Sequence, residues 1–177
     1  MTFVFLVIYI YLILWVIYMR CFKKIKYEQF KKDVYDNEKL YHEYDLPRRA
    51  TKCSAGYDFY SLVNFEIKPG EIMKVPTGLK VMMNEDEAFL FYVRSSMGFK
   101  YNVRLTNQVG IIDADYYGNP DNDGHMWISL QNHGNEDYVV KKGDAFCQGM
   151  FIKYLKTDDD ESFGERVSGL GSTNKEV

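Results

Sequence analysis

Residues 118–149 read GNPDNDGHMWISLQNHGNEDYVVKKGDAFCQG, and this stretch contains the alternation that decides the fold. Turn-forming segments rich in Gly, Asn, Asp and Lys lie at 118–124, 132–137 and 141–144, with short apolar and β-branched runs between them. The pattern extends towards the N-terminus, where 89–93 alternates like 127–130. Turn signals about every eight to twelve residues between period-two segments predict an all-β sandwich or barrel.

The whole chain has 177 residues and a formal net charge of -3, a length that allows one globular domain. Apolar residues make up 46% and charged residues 27%, so a core can be buried and a mainly disordered chain is excluded. There is no basic stripe with interleaved aromatic residues, so we expect no nucleic-acid partner. Cys21, Cys53 and Cys147 lack C-x-x-C spacing, which suits a reducing compartment and argues against a zinc site.

The first 19 residues, MTFVFLVIYIYLILWVIYM, carry no charge and form a hydrophobic leader. As a helix at about 1.5 Å per residue they would extend about 28 Å, close to the hydrocarbon thickness of a bilayer. Arg20, Lys23, Lys24 and Lys26 follow, and the positive-inside rule then leaves the rest in the cytoplasm, with membrane contact through residues 1–19. The alternative is that translation starts at Met19. Both interpretations predict a cytoplasmic domain.

The remaining chain divides into three segments. Residues 20–46 are rich in Lys, Glu, Asp and Tyr and contain no Gly or Pro, which predicts a helical N-terminal extension on the surface of a larger unit. Residues 47–156 carry the turn and strand pattern of the β domain. Residues 157–177 begin with an acidic run and end in Gly and Ser, which predicts a flexible C-terminal arm.

Several segments combine glycine with groups capable of chemistry. RSSMGFK at 94–100 offers a guanidinium and two hydroxyls that can hold phosphate oxygens. GIIDADYYG at 110–118 puts Asp113 at the end of an apolar run, where it could act as a general base on a water. RVSGLGST at 166–173 has the composition of a phosphate-binding loop. Taken singly, each segment also fits a helix cap, a solvated turn or a disordered end.

Together and in this order, the segments resemble the five motifs of the trimeric dUTP nucleotidohydrolase (dUTPase) family. The matching segments are AGYD at 55–58, RSSMGFK, GIIDADYYG, KKGDAFCQG at 141–149 and RVSGLGST. The stretch before Pro47 and the insertion-like GNPDNDGH are similar to dUTPase-like sequences of Gram-positive bacteria and their phages. The resemblance implies a homotrimer of jelly-roll-like β-barrel subunits with shared active sites. It also implies hydrolysis of dUTP to dUMP and pyrophosphate, which keeps uracil out of DNA and supplies dUMP for dTMP synthesis.

The resemblance further implies a role for each matching residue. Asp113 would be the general base, and Tyr116 would lie against the deoxyribose, where it excludes a 2'-hydroxyl. Asn107 and the backbone at Gly110 would read the uracil edge, since an amide both donates and accepts. The other substrate-binding residues would be Arg94, Ser95, Ser96, Gln148, Arg166, Leu170, Gly171 and Ser172. Asp58 would orient an arginine, and Mg²⁺ would be carried by the substrate phosphates without direct protein ligands.

The sequence departs from the family pattern at two positions that matter for function. Leu170 stands where an aromatic residue usually stacks on uracil, and Ala145 replaces the arginine of the usual GDR. These changes and the insertion at 119–125 motivate a second hypothesis, a dUTPase-like regulatory protein that binds dUTP and engages a partner through the insertion or the N-terminal helices. A third, a deaminase of the related dCTP-acting fold, needs a glutamate base late in the strand core, and no residue matches it.

Overall fold

The all-β prediction is confirmed in the computed structural model, which describes residues 20–162 and Gly164. Within these residues twelve strands follow one another along the chain. They are β1 (Cys21–Lys24), β2 (Arg48–Arg49), β3 (Tyr57–Tyr60), β4 (Phe65–Ile67), β5 (Ile72–Pro76), β6 (Leu79–Met82), β7 (Glu87–Tyr92), β8 (Val103–Leu105), β9 (Gly110–Asp113), β10 (Trp127–Asn132), β11 (Tyr138–Val140) and β12 (Ala145–Lys153).

The described helices are short. They are α1 (Tyr27–Asp33), α2 (Glu38–Glu43), α3 (Ser95–Tyr101) and a 3-10 helix (Ala114–Tyr116). Asn37 caps α2, because its side-chain oxygen accepts from the backbone N–H of Leu40 at 2.8 Å. Asn102 ends α3 in the left-handed conformation, with φ at 54°.

The described strands pair only antiparallel, in four sheets. The largest sheet has the order β2-β3-β12-β7-β9, and the others are β5-β10-β8, β11-β4 and β1-β6. The two segments whose alternation predicted strands correspond to β7 and β10. In the largest sheet, β7 is paired on both edges, with β12 on one side and β9 on the other.

Aromatic rings fill the core beneath the largest sheet. Phe59, Phe89 and Phe91 are at most 1% exposed, and their rings meet at centroid distances of 4.9–5.9 Å. Gly149 on β12 makes this packing possible, because a Cβ there would lie 2.3 Å from Cε1 of Phe89 and 2.9 Å from the carbonyl oxygen of Leu90. Aromatic side chains of this size contribute much of the buried area in a small domain.

The N-terminal extension is helical only in part. The prediction for residues 20–46 holds for α1 and α2, but Cys21–Lys24 forms a strand paired with β6. Phe22 on this strand contacts the rings of Tyr57, Phe59 and Phe89 at 5.2–5.5 Å. The extension therefore contributes to the main core rather than only covering the surface.

A second, smaller cluster joins the extension to the β domain. Ile25 and Phe30 are fully buried, and they pack with Leu40 and with Leu62 from the loop after β3. The ring of Tyr44 stacks on Phe30 at 5.6 Å, and its hydroxyl donates to the carbonyl oxygen of Gly78 at 2.6 Å. Burial raises the pKa of that hydroxyl far above its usual range, so Tyr44 stays a neutral donor.

Two sequence predictions concern residues outside those described. The hydrophobic leader at residues 1–19 is one, and the fifth segment, with Arg166, Leu170, Gly171 and Ser172, is the other. Across 20–162 none of the helices combines the length and the apolar character needed to span a bilayer. The membrane contact and the flexible arm stay predictions.

The substitution Gly149→Ala tests the ring packing between β12 and β7. We expect it to lower the free energy of unfolding by at least about 1–3 kcal/mol, because the new methyl group would overlap the Phe89 ring and the backbone of β7. Urea denaturation measures the effect. Gly98→Ala is the matched control, since its Cβ would meet nothing closer than 3.9 Å and it lies in α3. Equal losses in the two variants would contradict this account.

Candidate active site

A cavity of about 870 Å³ lies beside β9 and brings together four of the predicted site residues. These are Asn107, Gly110, Asp113 and Tyr116. The remaining lining residues include Phe91 and Leu105 from neighbouring strands, and Asn122, His125 and Trp127 from the segment before and into β10. A concave, partly apolar site with a few convergent polar groups is the usual form of a small-molecule site.

Strand β9 sets the position of Asp113 in this cavity. The strand pairs with β7, so that Gly110 lies opposite Phe91 and Asp113 lies opposite Ala88. Asp113 is the last residue of β9 and is exposed. The 3-10 helix follows at once and turns the chain, which brings Tyr116 to the same cavity.

The turn between β8 and β9 places Asn107 beside Gly110. The N–H of Gln108 donates to the carbonyl oxygen of Leu105 at 3.0 Å, and Gln108 takes a positive φ of 62°. A Cβ on Gly110 would lie 3.8 Å from Nδ2 of Asn107 and 3.1 Å from Cβ of Phe91. The side-chain amide and the bare backbone of Gly110 are therefore adjacent at the cavity wall.

Tyr116 is held by its hydroxyl group. Nδ2 of Asn122 donates to this hydroxyl at 2.6 Å, and the hydroxyl donates to the carbonyl oxygen of His125 at 3.2 Å. Both partners belong to the insertion-like segment that follows the 3-10 helix. The phenol oxygen uses its donor and its acceptor capacity in these two contacts.

A second cavity, of about 400 Å³, contains Arg94 and Ser96. The guanidinium is held from two sides, since Nε lies 3.0 Å from Oδ1 of Asp58 and Nη1 donates to the carbonyl oxygen of Ala145 at 3.3 Å. Asp58 thus contacts an arginine, as the resemblance implies. Burial raises the pKa of the Tyr138 hydroxyl in the same cavity to about 12, although Arg94 acts in the opposite direction.

Gln148 lies on β12, close to the start of β3. Its Nε2 donates to the carbonyl oxygen of Val93 at 3.1 Å, and a Cβ on Gly56 would lie 2.7 Å from its Oε1. Because Gly56 has no side chain, the Gln148 amide has room at this position. Ser95 and Ser96, just after Val93 and Arg94, are exposed at the beginning of α3.

One chain does not bring the two cavities together into one site. Asp113 lies opposite Ala88 near the start of β7, whereas Arg94 lies six residues after Ala88 and just beyond the end of that strand. At about 3.3 Å per residue this separates the carboxylate from the arginine by roughly 20 Å along the strand. The described residues therefore form two half-sites.

Comparison with known proteins identifies the family of this chain. A sequence model described as dUTPase matches residues 42–173, which is most of the chain. The chain belongs to the dUTPase family. The region matched includes every predicted site residue, among them Arg166, Leu170, Gly171 and Ser172, which lie outside the described part.

Individual relatives agree with the family assignment. The deoxyuridine 5'-triphosphate nucleotidohydrolase of Lactococcus lactis is 44% identical over 131 residues, which cover 73% of this chain and 87% of that protein. The enzyme of the same name from Haemophilus influenzae is 34% identical and covers 76% of this chain and 89% of its own length. The crystal structure of the dUTPase from Streptococcus mutans has a TM-score of 0.63 at 36% identity, covering 77% of this chain and 98% of that one.

A buried polar cluster that no sequence pattern predicted lies behind the first cavity of this dUTPase. His125 is 0% exposed, and its Nε2 accepts from the backbone N–H of Gly78 at 2.9 Å. This contact assigns the ring proton to Nδ1, which lies 2.6 Å from Oδ2 of Asp33 on α1. Burial lowers the pKa of His125 despite the opposing effect of Asp33, so the ring is neutral. The partners lie 47 and 92 residues away, a distance at which no local pattern signals them.

The neutral state of His125 gives a pH dependence of stability. Because its pKa is lower in the folded protein than the usual value of about 6.5, the unfolded chain binds the proton more readily. We expect the free energy of unfolding to be unaffected by this residue above about pH 6.5 and to fall as the pH decreases below it. Urea denaturation at pH 7.5, 6.5 and 5.5 measures the slope.

The variant His125→Asn isolates this contribution. At pH 7.5 we expect its free energy of unfolding to be lower than that of the wild type, because the contacts to Gly78 and Asp33 are lost. Between pH 6.5 and 5.5 we expect its free energy of unfolding to fall by less than that of the wild type. If the free energy of unfolding fell equally steeply with decreasing pH in both proteins, His125 would not be the group whose protonation destabilises the fold.

Proposed function

We infer that this chain hydrolyses dUTP to dUMP and pyrophosphate. The observation that carries this conclusion is the cavity in which Asp113 meets Asn107, Gly110 and Tyr116, in a chain whose curated relatives are named deoxyuridine 5'-triphosphate nucleotidohydrolases. This reaction is a step of nucleotide metabolism that removes the precursor of uracil in DNA and supplies dUMP.

The first half-site recognises the nucleoside. The Asn107 amide pairs with the uracil edge, and the backbone at Gly110 completes the contact where no side chain intervenes. The Tyr116 ring lies against the deoxyribose, so a 2'-hydroxyl would clash with it. These roles rest on the adjacency of Asn107 and Gly110 and on the position of Tyr116 in the lining of the same cavity.

Asp113 provides the chemistry. Its carboxylate, exposed at the end of β9, accepts a proton from a water that attacks the α-phosphorus. The new bond joins the water oxygen to the α-phosphorus, and the bond to the bridging oxygen of the β-phosphate breaks, which releases pyrophosphate. Mg²⁺, carried by the phosphate oxygens, neutralises charge on the triphosphate. Among residues 20–162 no three His, Cys, Asp or Glu side chains converge as a metal site, and in this proposal the phosphates hold the ion.

The second half-site binds the triphosphate. Arg94 supplies the cation and Asp58 fixes its orientation, while Ser95, Ser96 and Gln148 offer hydroxyl and amide donors. In this proposal Arg166 closes over the phosphates from the C-terminal arm, and Leu170, Gly171 and Ser172 cover the bound nucleotide. The arm orders on the substrate, and its ordering entropy is offset by contacts made only in the closed complex.

A homotrimer with shared active sites would unite the two half-sites. A separation of roughly 20 Å along β7 exceeds the reach of one triphosphate, so Arg94 of one subunit would serve Asp113 of another. Exposed apolar side chains support an interface between copies, since Phe99 is 92% exposed in α3, the helix that Arg94 precedes, and Ile111 is 62% exposed in β9.

No observation on the described residues favours the regulatory alternative. That hypothesis places the docking surface on the insertion at 119–125 or on the N-terminal helices. In the insertion, Asn119, Asp123, Gly124 and His125 are buried, and the segment contacts the N-terminal extension and Tyr116 of its own chain.

The activity is tested by pyrophosphate release from dUTP, UTP and dTTP in the presence of Mg²⁺. We expect turnover of dUTP and much lower kcat/KM for the other two, because UTP carries a 2'-hydroxyl and dTTP carries a 5-methyl group at the wall formed by Gly110. Absence of dUTP turnover, or equal turnover of all three, would overturn the proposed function.

The substitution Asp113→Asn tests the general base. We expect kcat to fall by about 10²- to 10⁴-fold while the Kd for dUTP changes little, because the amide keeps the shape but cannot accept the proton. Asp36→Asn, the same change at an exposed residue of the N-terminal extension outside both cavities, is the control and should leave kcat unaltered. Undiminished turnover in the Asp113 variant would mean that another group acts as the base.

A further inference from the structure

The Tyr116 ring owes its position to a residue outside the family motifs described above. Asn122 donates to the Tyr116 hydroxyl at 2.6 Å, the shorter of the two hydrogen bonds on that oxygen. Asn122 and Tyr116 both line the cavity that contains Asp113. The contact therefore lies at the wall of the cavity in which the proposed substrate would bind.

Asn122 is itself held in place by its own segment. Its Oδ1 accepts from the N–H of Gly124 at 3.1 Å, and its carbonyl oxygen accepts from the N–H of His125 at 3.0 Å. Gly124 has φ at +78°, and a Cβ there would lie 2.5 Å from the carbonyl oxygen of Tyr116. The backbone of the segment thus packs directly on the backbone that carries the ring, a contact that only glycine permits.

Buried charged and polar groups anchor the segment on its other side. Oδ2 of Asp123 accepts from the backbone N–H of Lys26 at 2.8 Å and from Nζ of Lys80 at 2.7 Å. The carboxylate is 8% and the ammonium side chain 10% exposed, so neither can be freed at low cost. The Asp33 contact to His125 adds a third anchor. The segment has little freedom to move away from Tyr116.

We propose that Asn122 is a positioning residue that sets the selectivity for 2'-deoxyribonucleotides by holding the Tyr116 ring against the sugar. This inference rests on the proposed function, since it concerns the same site. A tyrosine ring turns about two side-chain bonds, and removing the Asn122 donor takes away the 2.6 Å contact while the longer 3.2 Å bond to the His125 carbonyl remains. The ring can then move aside for a 2'-hydroxyl, and kcat/KM for UTP rises relative to kcat/KM for dUTP.

The measurement is the ratio of kcat/KM for dUTP to kcat/KM for UTP, in the full chain. For Asn122→Ala we expect this ratio to fall by about three- to tenfold, the effect of one lost neutral hydrogen bond. The KM for dUTP should rise while kcat stays within about twofold, because Asp113 is untouched. Asn135→Ala, which removes an exposed amide that does not line the cavity, is the matched control and should leave the ratio unchanged.

A conservative variant separates positioning from general support. In Asn122→Asp the Tyr116 hydroxyl can turn its single proton from the His125 carbonyl to the carboxylate, which also accepts from the Gly124 N–H, so the ring stays tethered to residue 122 and the ratio should remain near the wild-type value. The added charge acts equally on dUTP and UTP and cancels in the ratio. If the Asp variant loses as much selectivity as the Ala variant while its Tm is unchanged, the proposal is wrong.

A double-mutant cycle with Tyr116→Phe tests whether the effect passes through the hydroxyl. In the Phe background there is no hydroxyl to hold, so adding Asn122→Ala should change the ratio less than about twofold. If the two substitutions lowered the selectivity ratio independently, so that their effects added in free energy, the proposal would be overturned. An unaltered ratio in the single Asn122→Ala variant would also overturn it. A wild-type chain that fails to hydrolyse dUTP would overturn the proposed function and this inference together, whereas normal wild-type turnover with unaltered selectivity in the variants removes the inference alone.

Discussion

Strand β7 is hydrogen-bonded along both edges, to β12 and to β9, and the geometry of the site follows from this double pairing. Its register with β9 fixes Asp113 opposite Ala88, near one end, and its register with β12 fixes Gln148 opposite Tyr92, at the other. Because an extended chain advances about 3.3 Å per residue, the backbone positions of the proposed base and of the arginine beyond Tyr92 lie roughly 20 Å apart along one strand. This separation is the reason for proposing that a second copy completes the active site.

The same strand also fixes the core. Phe89 and Phe91 point to one side of the sheet, where the ring of Phe22 from the extension reaches them and where Gly149 leaves room. The hydrogen-bond ladder and the apolar packing thus constrain each other, since a shift of one residue would turn these rings to the opposite face. The N-terminal extension enters the fold through Phe22, which explains why it is more than a surface addition.

Buried polar groups connect the extension to the proposed sugar site. Burying an imidazole or an ion pair is unfavourable unless each group finds a partner, and here Asp33, His125, Asp123 and Lys80 satisfy one another. Within the described residues, the Nδ2 of Asn119 is the buried side-chain nitrogen left without a hydrogen bond. The partners come from different parts of the chain, so folding of the extension and placement of Tyr116 depend on each other.

The sequence by itself determined the β class, the strands β7 and β10, the family, and four residues that line one cavity, because turn chemistry, period-two alternation and short motifs are local properties. It did not reveal β1, whose four residues CFKK carry too little alternation and gain their strand form from pairing with β6. Nor did it reveal the support for Tyr116 by Asn122, or the burial of His125 against Asp33. Tyr116 and Asn122 are only six residues apart, but no sequence pattern indicates their contact, whereas His125 and Asp33 are 92 residues apart. The second contact depends on tertiary packing, which decides where a buried polar group finds its partner.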